Sequence, residues 1–226
     1  MFIGHYAAAF ASKQIDDRPS LGWTFAACQL PDLLWPIFCL VGMEHFRIAP
    51  GDTAFTPLAF DYYPWSHSLV MDVVWGLVFG FIYLARSGNR RGAWLMVALV
   101  VSHWFLDWVT HRPDLPLTLT EEHLEGLGLW RSVAGTLAVE TLLYAGSVWL
   151  YLRSTVPLDR VGRVGAWTIV GVLGAIYLAN VFSPPPPNTI AVSISALALW
   201  AFIPAAAWVD RHRSRRPAIA ARDQGE

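Results

Sequence analysis

Charge is what this sequence has least of. Only 15% of its residues are Asp, Glu, Lys or Arg, against about 25% in an ordinary soluble domain. The deficit falls in long apolar runs, which points to a membrane protein built as a single bundle. A net charge of −1 creates no field that would gather nucleic acid, so no nucleic-acid partner is expected. Cysteine is nearly absent. Cys28 and Cys39 lie in one apolar segment and match no zinc or redox spacing, so they read as small core residues. No glycine-rich phosphate loop suggests an organic cofactor. No internal repeat is visible, of the kind from which many transporters are built. The opening stretch MFIGHYAAAFASK lacks a basic n-region and carries His5 inside its apolar part. Ala9-Phe10-Ala11 imitates a cleavage site, yet the stretch reads as a short membrane-associated helix rather than a signal peptide.

What is present is apolar sequence in lengths that suit a bilayer. Six stretches approach the roughly 20 residues a spanning helix needs, near 21–43, 66–86, 92–111, 129–152, 163–183 and 188–209. Backbone polar groups in lipid must be satisfied within the segment, so these are expected to be helices. The fold class is therefore all-α: a polytopic membrane bundle of about six transmembrane helices plus a short N-terminal helix. Residues 1–209 form one membrane-embedded domain, and 210–226 form a basic tail expected to be frayed. The run SPPPPN at 183–188 is a stiff turn. Several tryptophans, among them Trp23, Trp65, Trp108, Trp130, Trp149, Trp167 and Trp208, stand at the ends of apolar runs, as interfacial belts do. Basic residues in short loops set orientation. Thirteen of them fall on the side of the N-terminus, 86–91, 153–163 and the tail, against Arg47, Arg112 and Arg131 on the other. Both termini are thus expected in the cytoplasm, with the long loops 44–65 and 112–128 on the outer face.

Against that apolar background a few ionisable residues stand out. Each costs several kcal/mol in a membrane helix unless it faces the interior and finds a partner. The stretch SHWFLDWVTH carries His103, Asp107 and His111 at intervals of four. Residues four apart share a helix face, about 6 Å apart along the axis, so His103 and Asp107 can chelate one ion. His111 lies a further turn on, rotated by about 80° from His103. On a regular helix the three do not comfortably share one tetrahedral ion, but Asp107 could bridge two. Imidazole with carboxylate suits zinc, with manganese or iron as further options. The competing reading is a set of hydrogen-bonded core histidines, and a helix-end cap for His111.

Asp32 lies mid-span in QLPDLLWP, between two prolines that free carbonyls and kink a helix. A broken helix with a carboxylate at membrane depth can form an ion site; the alternative is a kink with Asp32 paired to a hydroxyl. In PWSHS, Ser66 is a candidate helix cap and His67 a ligand or a surface histidine. Asp72 falls on another face and reads as a packing or supporting group. Glu140 lies deep in the fourth span, as a ligand, a general base or a paired structural acid. His5 joins the others only if residues 2–12 dip into the bundle.

Gly4-His5, Pro31-Asp32, Ser66-His67-Ser68, and His103 and Asp107 followed by Thr110-His111 together resemble the predicted membrane-bound metal-dependent hydrolases of the YdjM-like family, found in bacteria and archaea. The motif order is also similar to that of zinc-dependent phospholipase C. The resemblance covers the first half of the chain. It implies metal-ligand roles for His5, Asp32, His67, His103, Asp107 and His111, and a location in the prokaryotic plasma membrane. The His and Glu ligands that complete the phospholipase cluster have no clear counterpart, Glu140 being the one candidate. The expected function is a metal-dependent hydrolase of a phosphoester or lipid head group. One or two divalent ions, zinc by preference, would activate water. Asp107 would bridge, Asp32 or Glu140 would take the proton, and Arg112 and Arg131 could pair with phosphate. The rival expectation is a transporter of protons or divalent cations using the same His and Asp residues; a membrane protein with an inactive site is a third.

Overall fold

Caps and glycine turns cut the apolar runs into elements. The computed structural model describes residues 1–120 and 122–216. Helix α1 (Ile3–Ser12) is buried on most of its surface and packs chiefly against a later helix, Val133–Ser154. The expected span 21–43 is instead two short helices, α2 (Leu21–Cys28) and α3 (Leu30–Leu40), broken at Gln29. The break follows from Pro31 in the first turn of α3, which has no N–H to continue the ladder. Neither piece is long enough to cross a bilayer.

The loop 44–65 is not structureless. β1 (His45–Ile48) pairs antiparallel with β2 (Leu58–Tyr62), and the one-turn helix α4 (Pro64–His67) follows. Ser68, not Ser66, caps the next helix, accepting from Met71 N–H. That helix, α5 (Leu69–Ser87), ends at Gly88 with φ 66°, a left-handed position that suits glycine. Asn89 then caps α6 (Arg90–Thr110). The α5–α6 hairpin is close-packed because Gly80 lets Ala93 and Val97 approach: a Cβ there would lie 2.9 Å from the Ala93 carbonyl oxygen. After α6, two-residue strands β3 (Leu115–Pro116) and β4 (Leu124–Glu125) pair. α7 (Val133–Ser154) is capped by Ser132, and β5 (Thr155–Pro157) leads through a π turn into α8 (Ala166–Phe182). α9 (Thr189–Ala196), a 3-10 turn and α10 (Phe202–Arg211) complete the helices. β6 (Arg213–Arg215) pairs with β5, where a frayed tail is expected from sequence; Arg222 lies outside the described residues.

Five segments among the described residues are long and apolar enough to span a membrane: α5, α6, α7, Val161–Phe182 and Thr189–Arg211. Their outward faces carry exposed apolar side chains such as Phe81, Trp94, Leu142, Phe182 and Ile190, as lipid contact requires. The all-α membrane architecture holds. One apolar core joins α1, α2 and the long helices around Tyr6, Phe25, Met96 and Leu173. A second, under the loops, gathers Trp35, Phe46, Tyr63, Trp104 and Leu115.

Candidate metal centre

Polar side chains collect between these two apolar regions. His103, fully buried on α6, donates from Nδ1 to the carbonyl of Cys28 at 2.8 Å. That carbonyl is available because the ladder breaks at Gln29. A carbonyl only accepts, so Nδ1 of His103 carries a proton, and in the neutral ring the lone pair is on Nε2. Nε2 lies 3.2 Å from Asp107 Oδ2 and 3.9 Å from Asp32 Oδ1, and makes no hydrogen bond.

The same logic applies to His111. Helix α6 ends at Thr110, but His111 N–H still bonds the Asp107 carbonyl at 2.8 Å and its φ is −62°, so its ring leaves the backbone as from a further helical turn. Nδ1 donates to Asp114 Oδ1 at 2.9 Å, with the Tyr63 hydroxyl at 3.2 Å. Nε2 then lies 3.9 Å from Asp107 Oδ2. His103, Asp107 and His111 thus reach one place. Trp130 packs beside His111, 4.1 Å between ring centroids.

His67 is buried on α4, not exposed at a surface. Its Nδ1 lies 2.7 Å from Ser66 Oγ, and its Nε2 faces Asp32 Oδ1 at 3.4 Å and Asp107 Oδ2 at 3.9 Å. His5 arrives on α1, which does enter the bundle. Its Nε2 is 3.1 Å from Asp107 Oδ1, and its ring stacks on His103. The backbone nitrogen of Met1 also lies against Asp107 Oδ1. Asp107 is thus the hub, one oxygen toward His5 and the other toward His67, His103 and His111.

Two overlapping sets can hold an ion: His5, His103 and Asp107, and Asp32, His67 and His103, the ligand atoms of each within 4.8 Å of one another. The separations of 3.2 to 3.9 Å around Asp32, His67, His103 and Asp107 suit a tetrahedral zinc, whose ligand atoms stand about 3.3 Å apart when each bond is about 2.0 Å. The set fits a divalent cation for a further reason. A buried Nε2 with no partner costs about 1–3 kcal/mol, and ligation removes that cost.

The remaining expectations fare differently. Glu140 is fully buried, but its Oε2 accepts from the backbone N–H of Phe2 at 2.8 Å and of Gly4 at 3.1 Å. It anchors the start of α1 and belongs to neither ligand set. Asp72 is fully buried with both oxygens unpartnered and also stands outside the sets. Arg112 is held by Asp52 at 2.8 Å and Asp114 at 2.9 Å, so its charge is already matched. Asp114 went unnoticed in the sequence, although its place three residues after His111 was a signal. Glu44, which grips Ser66, had none; burial pushes its carboxyl up to about 7.

Comparison with known proteins yields no match, whether to protein-family models, curated proteins or solved structures.

Proposed function

We propose that the chain is an integral-membrane, metal-dependent hydrolase of the YdjM-like type, using a His/Asp centre assembled from α1, α3, α4 and α6. One observation carries this reading: imidazole Nε2 atoms of His5, His67, His103 and His111 converge on Asp107 and Asp32, with the Nδ1–H of His103 and His111 tied down on acceptors. Such backing is how metal-binding histidines are oriented. A single lone pair serves one ion, so His103 cannot belong to both sets at once. Two ions, held by these histidines with Asp32 and Asp107, would use the residues more fully than one.

Bound divalent ions, zinc by preference, supply a water of lowered pKa and a Lewis acid for the bond attacked. The protein's part is to orient the ligands, exclude bulk water and accept a proton. Asp32 suits that last role. Its side chain is 23% exposed while those of His5, His67, His103, Asp107 and His111 are at most 6% exposed, so the centre opens at Asp32. Glu140 has Oε2 engaged with backbone amides and Oε1 without a partner, and stands outside both ligand sets. A phosphoester or lipid head group is the substrate class that accords with the family resemblance, without help from Arg112. The bias of basic residues supports a prokaryotic plasma-membrane location with both termini in the cytoplasm.

Elemental analysis of detergent-purified protein is expected to find about two metal equivalents, and His103→Ala to lose at least one of them together with any phosphodiesterase activity. Metal-free protein that moves protons or divalent cations across vesicles would overturn the hydrolase in favour of a transporter.

A further inference from the structure

Ser66 is fully buried and has one hydroxyl proton to place among three neighbours. Its Oγ lies 2.7 Å from Glu44 Oε2, 2.7 Å from His67 Nδ1 and 3.4 Å from the Tyr63 carbonyl. Glu44 is itself 1% exposed, and its other oxygen accepts from Ser66 N–H at 2.8 Å. The chain turns back through Gly42, φ 77°, to bring Glu44 from the end of α3 onto the start of α4. A carboxylate accepts hydrogen bonds and cannot donate them. The hydroxyl proton therefore goes to Glu44, at the shorter distance of its two accepting oxygens. Ser66 Oγ is left to accept, and the hydrogen it accepts is Nδ1–H of His67. With the proton fixed on Nδ1, the lone pair is on Nε2, the atom that faces Asp32 and Asp107.

We propose that Glu44 is a positioning residue of the metal centre, acting through Ser66 to hold His67 in the tautomer whose Nε2 can bind a divalent cation. The inference rests on the metal-centre reading above. It also gives a reason for burying a carboxylate against a serine 22 positions away, where a neutral pair would serve packing alone. An ion on Nε2 in turn requires Nδ1–H, and so favours the ionised form of Glu44.

Glu44→Gln tests the idea with almost no change of shape. The amide oxygen can still accept from Ser66 N–H, which leaves the NH2 group facing Ser66 Oγ. Ser66 can then donate to His67 Nδ1 at 2.7 Å in preference to the Tyr63 carbonyl at 3.4 Å, which moves the ring proton to Nε2. Full-length protein in detergent, stripped and titrated with Zn(II) at pH 8 against a chromophoric chelator, is expected to bind at least one zinc about 10- to 100-fold more weakly in this variant. In 15N-histidine NMR spectra of the zinc-free protein, the His67 signals, assigned with His67→Ala, are expected to switch from the Nδ1–H to the Nε2–H pattern. A merely structural role for Glu44 would not move that signature. Should Glu44→Gln fail to give a folded, monodisperse protein, Ser66→Ala cuts the same link with the carboxylate kept, and the same loss of zinc affinity is expected. Wild-type protein that binds no zinc at all would overturn the metal centre, and this proposal with it. Wild-type protein that binds zinc, with Glu44→Gln or Ser66→Ala binding it equally well, would overturn the role of Glu44 alone.

Discussion

The imidazole of His5 lies flat on that of His103, with 3.6 Å between ring centroids and 4° between the planes. Two cationic rings would not stack so closely in a buried site, so at least one is neutral. Both direct Nε2 at Asp107, but only His103 belongs to both ligand sets. His5→Ala is accordingly expected to lower bound metal by about one equivalent of two, and His103→Ala, which removes a lone pair that can serve either set, to lower it by at least as much. Elemental analysis after identical purification decides it; a His5→Ala protein with undiminished metal content would show that α1 contributes packing only.

Glu140 governs whether His5 arrives at all. Its Oε2 takes two backbone N–H groups at the start of α1. Glu140→Ala leaves those buried donors unsatisfied, at about 1–3 kcal/mol. The outcome expected is partial metal loss like that of His5→Ala, with faster hydrogen exchange in residues 2–12 and little change elsewhere. Glu140→Gln, which retains an acceptor oxygen, should fall between.

Packing of α2 on α10 depends on Gly22. A Cβ there would meet the Ile203 carbonyl oxygen and the Ala207 Cβ, each at 2.6 Å. A backbone oxygen cannot swing aside, so Gly22→Ala is expected to destabilise by about 1–3 kcal/mol, more than the roughly 1 kcal/mol that alanine gains in helix propensity. Gly171→Ala, where nothing lies within 4 Å, should be neutral or slightly stabilising. Thermal melts of the two variants in one detergent make the comparison.

Asp16 links the segment after α1 to the α5–α6 turn. Arg18 donates to both of its oxygens at 2.9 Å and Asn89 to one at 2.9 Å. Chiefly the Arg18 hydrogen bonds hold its carboxyl down at about 2, below the usual 3.8. A depressed acid stabilises the fold at pH above its unfolded value, and that contribution fades as pH falls from about 3.8 through about 2. Acid unfolding followed by circular dichroism should therefore show a shallower pH dependence in that window for Asp16→Asn. Identical acid titrations for the variant and wild type would remove Asp16 from the account.

Much of the site could be read before the fold was known, because lipid makes polar residues costly and so conspicuous. His103 and Asp107 share a face by helical arithmetic, and Asp32 stands out between its prolines. His111 stands one turn beyond Asp107, and the hydrogen bond from its Nδ1 to Asp114, which spacing does not reveal, leaves Nε2 toward Asp107. Residues 21–43 have the hydropathy of a span, but hydropathy carries no record of where a proline stops the ladder.

What the sequence by itself determined is the class of molecule and the inventory of the centre. Apolar run length dictates helices of spanning size, and uncompensated charge in such runs demands a shared site. The tertiary structure alone decided which groups meet. α1 folds inward so that His5 reaches Asp107, Glu140 is spent on backbone amides, and Glu44 reaches His67 through Ser66. These pairings join residues far apart in the chain or turned by an irregular backbone, and neither spacing nor composition constrains such distances. Hydrogen-bond direction inside a dry interior does, because a buried donor left without an acceptor is costly.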